Sequence, residues 1–359
     1  MSGIHHFVPV FHRGDAVGRH TLRLRDTTRE RGFDSHIYVD VINPATRGET
    51  RTVAQYPTDA QRGDVLVYQF ATASFMAHWL GRRPETLVVN YHNITPPELV
   101  ASWDNEFARG QVQAQVELRM LAARTTLAVA DSAYNAEHLA EAGFARTAVV
   151  PPSAALRDEP GPTAHRSVRP GGAAGVGARW LCVGRVSPNK SIEDTVAALA
   201  ITRAHMDPEA TLLVIGRATS APYAAALRRY VTQLGLRDAV RFTGHASDAT
   251  VEEAYLSSDV LVVTSAHEGF CVPVVEAMAA DLPVVAFRQG ALPEVLGAAG
   301  EYIDRRDPYA LATTIAGLLA DPTRRAEISV AAAERLRALN MATAAPRFVD
   351  LLAPLVSGL

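Results

Sequence analysis

Two carboxylates, Glu268 and Glu276, bracket the stretch His267-Glu268-Gly269-Phe270-Cys271-Val272-Pro273-Val274-Val275-Glu276. The run before it, Asp259-Val260-Leu261-Val262-Val263-Thr264, is short, apolar and without alternation, as expected of a buried parallel strand. Gly269 suits a turn, and Pro273 suits the first turn of a helix, where its missing N–H needs no partner. Strand, loop, then helix aims backbone amides and the positive end of the helix dipole at an anion. Gly269, Phe270, Cys271 and Val272 would then surround a phosphate. Glu276 lies about one turn into the helix, where a carboxylate can accept two hydrogen bonds from a vicinal diol. Glu268 stands in the loop, free to meet a sugar hydroxyl. The combination describes a nucleotide-sugar site. The plainer alternative is that Glu276 merely favours a helix N-terminus and Glu268 is a solvated loop charge.

Carboxylates in one site repel a diphosphate unless cations intervene. Trp180-Leu181-Cys182-Val183 reads as a strand running into Gly184-Arg185-Val186-Ser187-Pro188-Asn189-Lys190-Ser191. Arg185 offers a planar fork and Lys190 a compact charge. The same segment is one residue from a phosphate-cradling loop of the Gly-x4-Gly-Lys-Ser type, with Asn189 where glycine should stand. A P-loop-like nucleotide hydrolase is therefore one alternative, and a non-catalytic nucleotide-sugar binder another.

The Glu268–Glu276 stretch resembles the Glu-x7-Glu motif of retaining glycosyltransferases with the two-domain GT-B fold, glycosyltransferase family 4 in particular. The agreement extends to the Gly269-Phe270 step, Pro273 and the Glu276-Ala277-Met278 that follows. The resemblance implies α/β architecture in two Rossmann-like, doubly wound parallel-sheet domains facing a cleft. It implies hexosyl transfer from a nucleoside diphosphate sugar to a hydroxyl acceptor, with retention. Arg185 and Lys190 would hold the donor diphosphate, Glu268 would orient the sugar, and Glu276 would bind the ribose. Loops ending in Gly216 and Gly244 would bracket the nucleobase. In the first half, the family's glycine-rich loop falls at His12-Arg13-Gly14-Asp15, where this chain departs from paired glycines. Gly14 would face the donor, and Asp15 would either face the acceptor or cap the next helix. His92, after Val88-Val89-Asn90-Tyr91, stands where a family histidine contacts the donor sugar. Tyr91-His92-Asn93-Ile94-Thr95-Pro96-Pro97 looks like a bacterial subgroup linked to surface-polysaccharide assembly. No Asp-x-Asp occurs and none of these phosphate contacts needs Mg²⁺, so metal independence and no cofactor beyond the donor are expected.

Elements must hold these residues in place. Strand-length apolar runs alternate with helical patterns, which implies parallel sheets covered by helices. Strands are expected near 4–10, 35–40, 64–70, 86–91, 126–130 and 147–150, then 179–184, 211–216, 240–243, 259–264, 283–287 and 301–303. Helices are expected near 17–31, 72–80, 105–123 and 133–142, then 191–204, 221–235, 249–256, 273–280, 307–320, 323–338 and 342–356. Residues 157–178 are rich in Pro and Gly, which reads as a linker. The domains expected are 1–160 for the acceptor, a linker over 161–178, 179–338 for the nucleotide sugar, and a helix over 339–359. The resemblance sends that last helix back to the first domain. In such sheets, ligands sit at the carboxyl ends of strands.

The chain's 359 residues suffice for two cores, and a net charge of −3 excludes a broad nucleic-acid footprint. Two cysteines without a Cys-x-x-Cys pair, no signal peptide and no apolar run of membrane length fit a cytoplasmic protein. The arginine-rich helix 17–31 also carries Asp26 and Glu30, so it reads as solvated rather than as a membrane anchor, with weak peripheral membrane contact the alternative.

Overall fold

The computed structural model describes residues 2–155 and 177–356. The expected linker falls, apart from residues 177 and 178, outside them. The chain divides into two compact units. One comprises Met1–Pro97, Phe107–Ala155 and Asn340–Leu359, and the other Glu98–Glu106 and Leu156–Leu339.

In the first unit the strands are β1 (Ile4–Phe7), β2 (Ile37–Val39), β3 (Thr50–Thr52), β4 (Val65–Phe70), β5 (Thr86–Tyr91), β6 (Leu127–Ala130) and β7 (Thr147–Val149). Its helices are α1 (Ala16–Glu30), α2 (Tyr56–Asp59), α3 (Phe75–Leu80), α4 (Asn105–Ala122, shared with the second unit at its start) and α5 (Ala133–Glu141). The sheet runs β3-β2-β1-β4-β5-β6-β7, with every pairing parallel. Successive strand residues point to opposite faces, and each face is buried. Leu66, Tyr68, Phe70, Leu87 and Val89 join one apolar cluster with Leu118 of α4. Val65, Val67 and Val88 join another, with Leu24 of α1.

The second unit contains β8 (Arg179–Val183), α6 (Ile192–His205), β9 (Thr211–Ile215), α7 (Ala221–Gln233), β10 (Val240–Gly244), α8 (Asp248–Ser257), β11 (Val260–Val263), α9 (Val272–Ala279), β12 (Val284–Phe287), α10 (Leu292–Leu296), β13 (Glu301–Ile303), α11 (Pro308–Ala320) and α12 (Pro322–Leu339). Its sheet runs β10-β9-β8-β11-β12-β13, again all parallel. Trp180, Leu199, Val262, Val285 and Ile315 lie in its core.

α13 (Ala344–Leu352) returns to the first unit, packing on α1. It contributes Phe348, Val349 and Leu352 to the cluster around Ile4 and Leu24.

The parallel α/β architecture expected from the sequence is what the chain adopts. The polar strand β3 and the short helices α2 and α10 were not expected. Thr50-Arg51-Thr52 lacks an apolar run, and α2 and α10 are too short to show a helical period. In both sheets the order reverses once, between β1 and β4 and between β8 and β11. At such a switch, loops leave the carboxyl ends of adjacent strands in opposite directions and open a crevice for a ligand.

Candidate functional site

The loops after β8 and β11 meet at the second unit's switch point. The Asn189 carbonyl accepts from Ala266 N at 2.8 Å, and Thr264 Oγ1 donates to the Ser191 carbonyl at 2.9 Å. Ser191 takes the left-handed conformation (φ 46°) where a short 3₁₀ turn over Pro188–Lys190 gives way to α6. These links bring Lys190 Nζ within 2.5 Å of Glu268 Oε1. Ser265 Oγ donates to the same oxygen at 2.6 Å.

Glu268 is therefore buried and engaged, not the free loop carboxylate expected from the sequence. Burial would push its pKa up. The Lys190 charge, hydrogen bonds from Lys190 and Ser265, and nearby His267 outweigh burial and hold it below the usual carboxylate value. It stays ionised as Lys190's counter-ion.

Gly290 supports the loop from behind. It has φ +56°, and a Cβ there would lie 2.3 Å from the Glu268 carbonyl oxygen. Ala291 N donates to that same carbonyl at 2.9 Å. The sequence reasoning missed Gly290, although a lone glycine between β12 and α10 is the kind of signal that marks a close approach.

α9 begins as expected, with Pro273 in its first turn. Its N-cap is Cys271, which adopts φ 76°, a region that favours glycine. The Cys271 thiol is buried, and burial first, then the Glu268 charge, push its pKa well above the ordinary value. Among the described residues, the amides of Phe270, Cys271 and Val272 make no hydrogen bond. They form a short row of open donors beside Lys190 and Glu268. Arg185 is exposed and likewise has no ion-pair partner among the described residues.

Glu276 is buried within α9, and its Oε2 accepts from Tyr255 Oη of α8 at 2.8 Å. That oxygen is not the spare acceptor for a diol that the spacing suggested. Tyr255 carried no signal of its own in the sequence, since an aromatic on a helix face usually reads as core.

Gly216 is needed for a reason other than approach to a ring. With φ +151°, its Cβ would fall 1.7 Å from the Gly184 carbonyl oxygen. Gly216 N donates to the Gly244 carbonyl, and Gly184 N donates to the Ile215 carbonyl. Gly184, Gly216 and Gly244 all have positive φ. They tie the ends of β8, β9 and β10 together.

Asn189 also explains why the segment is not a phosphate-cradling loop. Its side chain is buried and accepts from Ser187 Oγ at 2.7 Å, filling the place a glycine would leave open.

In the first unit, Gly14 and Asp15 sit in the exposed turn after β1. Asp15 caps α1, accepting from Gly18 N at 2.7 Å, so the capping reading describes its carboxylate. The glycine this turn demands is Gly18, whose Cβ would lie 1.8 Å from the His12 carbonyl oxygen. Beyond β5, His92 places Nδ1 2.9 Å from Asp131 Oδ2 and Nε2 2.7 Å from the Gln69 carboxamide. Both ring nitrogens are thus taken by the protein, rather than held out to a sugar. No group of three or more His, Cys, Asp or Glu residues able to hold a metal occurs among the described residues.

Comparison with known proteins bears on the fold and on the sequence of the second unit. The two parallel-sheet α/β domains are those of the GT-B fold. The structure of Anabaena HepE in complex with UDP-glucose matches with a TM-score of 0.78 at 20% identity, over 98% of this chain and 99% of that one. Residues 175–335, which hold Arg185, Lys190, Glu268 and Glu276, match the family described as Glycosyl transferases group 1. A D-inositol 3-phosphate glycosyltransferase of Xylanimonas cellulosilytica is 33% identical over 176 residues, 48% of this chain and 41% of that protein. A GDP-mannose-dependent alpha-(1-6)-phosphatidylinositol monomannoside mannosyltransferase of Mycolicibacterium smegmatis is 31% identical over 160 residues, 42% of this chain and 41% of that protein. These alignments span less than half the length of either relative. Together the findings show the GT-B fold and, over residues 175–335, similarity to Glycosyl transferases group 1. No described helix is long and apolar enough to cross a membrane.

Proposed function

We propose that the chain is a retaining, family 4-type glycosyltransferase that moves a hexosyl group from a nucleoside diphosphate sugar to a hydroxyl acceptor. The observation that carries the reading is the Lys190–Glu268 pair, beside the open amides of Phe270, Cys271 and Val272 at the β8/β11 switch point. Negative charge grows on the departing diphosphate as the glycosidic bond breaks. Lys190, Arg185 and the start of α9 stabilise that charge more than they stabilise the intact donor, and the difference is the catalysis. Lys190 carries three donors and gives one to Glu268, which leaves the rest for phosphate oxygens. Glu268 thus fixes Lys190 while orienting the sugar, and Glu276, braced by Tyr255, meets the ribose.

Retention has the leaving phosphate take the acceptor proton. Charge neutralisation by side chains and amides makes the reaction independent of added metal and of any cofactor. In the first unit, Gly14 and His92 are assigned to the donor side and Asp15 to the acceptor. The donors named for similar proteins, UDP-glucose and GDP-mannose, define the first panel to try. Polysaccharide or glycoconjugate assembly in the cytoplasm belongs to the same proposal.

The test is release of nucleoside diphosphate from UDP- and GDP-sugars in the presence of EDTA, with the product anomer assigned by NMR. A true donor at 100 times its dissociation constant should also stabilise the fold by about 2.7 kcal/mol. Lys190→Met and Arg185→Gln should abolish or sharply lower turnover. If no activated sugar raises the melting temperature, and Lys190→Met behaves as wild type with every donor, the reading fails.

A further inference from the structure

The first unit holds a buried polar chain on the face of its sheet covered by α1. His6 of β1, Gln69 of β4 and Asn90 of β5 lie at the carboxyl ends of adjacent strands, with Gln69 and Asn90 in register. Gln69 and Asn90 continue the two-residue spacing of Val65, Val67 and Val88, and His6 that of Ile4, all in the α1-side core, so all three point under α1. His20 of α1 closes the chain above, and His92 and Asp131 extend it at one end.

One backbone amide sets its direction. Ser153 N donates to His20 Nδ1 at 2.9 Å, so that nitrogen is an acceptor. His6 and His20 are wholly buried, and burial first, then neighbouring histidines and arginines, lower both pKa values, His6 to about 3. Each ring is neutral and carries a single N–H. The His20 proton is therefore on Nε2, 2.8 Å from the inner amide atom of Asn90. That atom must accept, so it is the Asn90 carboxamide oxygen. It also lies 2.9 Å from the inner amide atom of Gln69, which must then be the –NH₂. The Gln69 nitrogen in turn faces His92 Nε2 at 2.7 Å and can only donate to it. The proton of His92 consequently sits on Nδ1, where Asp131 Oδ2 accepts it at 2.9 Å. At the other end the Gln69 oxygen accepts from His6 Nδ1 at 3.3 Å, leaving the buried, unpartnered His6 Nε2 as a bare lone pair. Oxygen and nitrogen of a carboxamide are nearly the same size, so rotating both amides by half a turn changes no packing. The opposite orientation sets donor against donor at His20. The outer amide atom of Asn90, taken as oxygen, has no partner.

We propose that Asn90 and Gln69 are positioning residues that transmit the Ser153 amide's direction to His92, fixing its ring plane and the Nδ1–H tautomer. The proton assignment from Ser153 to His92 rests on hydrogen-bond geometry. Its service to glycosyl transfer rests on the function proposed above.

The full chain labelled with ¹⁵N-histidine decides it. Long-range ¹H–¹⁵N spectra at pH 7.5, with signals assigned by His20→Gln and His92→Gln, should show His20 as the Nε2–H form and His92 as the Nδ1–H form. Gln69→Glu replaces the donor by a group that only accepts, so His92 Nε2 must gain a proton and its ¹⁵N pattern must change. In an active preparation the same variant should lower kcat at least tenfold with little change in KM for the donor. His92 in the Nε2–H form in the native protein, or an unchanged His92 pattern in folded Gln69→Glu, overturns the proposal. If Gln69→Glu fails to fold, the native spectrum still decides. If no donor is ever found, the spectra stand by themselves, so the two proposals fail separately.

Discussion

Glu268 takes two donors on one buried oxygen, and that arrangement sets what its replacement should do. Glu268→Gln keeps the shape but leaves Lys190 beside a neutral group. Breaking a buried pair typically costs 3–5 kcal/mol. Lys190 retains some access to water, so a loss of roughly 1–3 kcal/mol is expected, together with loss of turnover. Urea unfolding and donor turnover, measured on the same preparation, check both. Gly290→Ala isolates the geometry. It forces the Glu268 backbone aside without touching a charge, and donor affinity should fall at least tenfold while far-UV circular dichroism is unchanged. Gly216→Ala is harsher, because both its φ and a backbone oxygen forbid the methyl group. A destabilisation of at least about 3 kcal/mol is expected in thermal unfolding. At this scale the sequence was informative about which residues matter and less so about what each one touches. Glu268, Lys190 and Pro273 stand where their spacing put them. Ser265, Tyr255 and Gly290 carry no motif, because a serine, a helix-face tyrosine and a loop glycine gain their meaning only from the strand order that gathers them.

Elements were more legible than contacts. Apolar strand runs and capped helices announced nearly all of the longer pieces, since a central strand buried on both faces is continuously apolar and a surface helix shows one apolar face. The strand order could not be read this way. The reversal between β8 and β11, which joins the two loops of the site, depends on which crossover goes to which side. α1 shows a cap in working order: Asp15 accepts from Gly18 N, and Asp15→Ala should cost about 1 kcal/mol by urea unfolding, with little effect on donor affinity. α13 is the larger structural debt. Its Phe348, Val349 and Leu352 are almost fully buried against the first unit's sheet. Ending the chain after Leu339 should therefore abolish slow hydrogen exchange in β1 and β4 while β8 and β11 keep theirs.

The molecule as a whole should be sensitive to mild acid. The folded-state pKa values of buried His6 and His20 lie below the ordinary 6.5. Below pH 6.5 the unfolded chain therefore binds protons that the native state refuses, and stability falls as pH falls. Each such histidine contributes up to about 1.4 kcal/mol per pH unit, and contributes nothing above its unfolded pKa. For the pair, the loss between pH 6.5 and 5 is at most about 4 kcal/mol. Glu268, held below the usual carboxylate range, acts in the same direction at still lower pH. Urea midpoints at pH 7.5, 6 and 5 should decline steadily, and a flat profile would refute the neutral, buried histidines.

The partition of the chain has a consequence for how it is made. Residues 177–339 carry all six strands of the second sheet as one continuous stretch, whereas the first sheet is completed by a helix encoded after them. During synthesis the earlier-translated strands must wait with one face covered by α1 but not yet by α13, leaving the cluster of Ile4, Val65 and Val67 incomplete, while the later-translated unit can close its own core. The N-terminal portion is thus the last to mature, and nascent chains stalled near residue 340 are the species in which a chaperone would find apolar surface to hold.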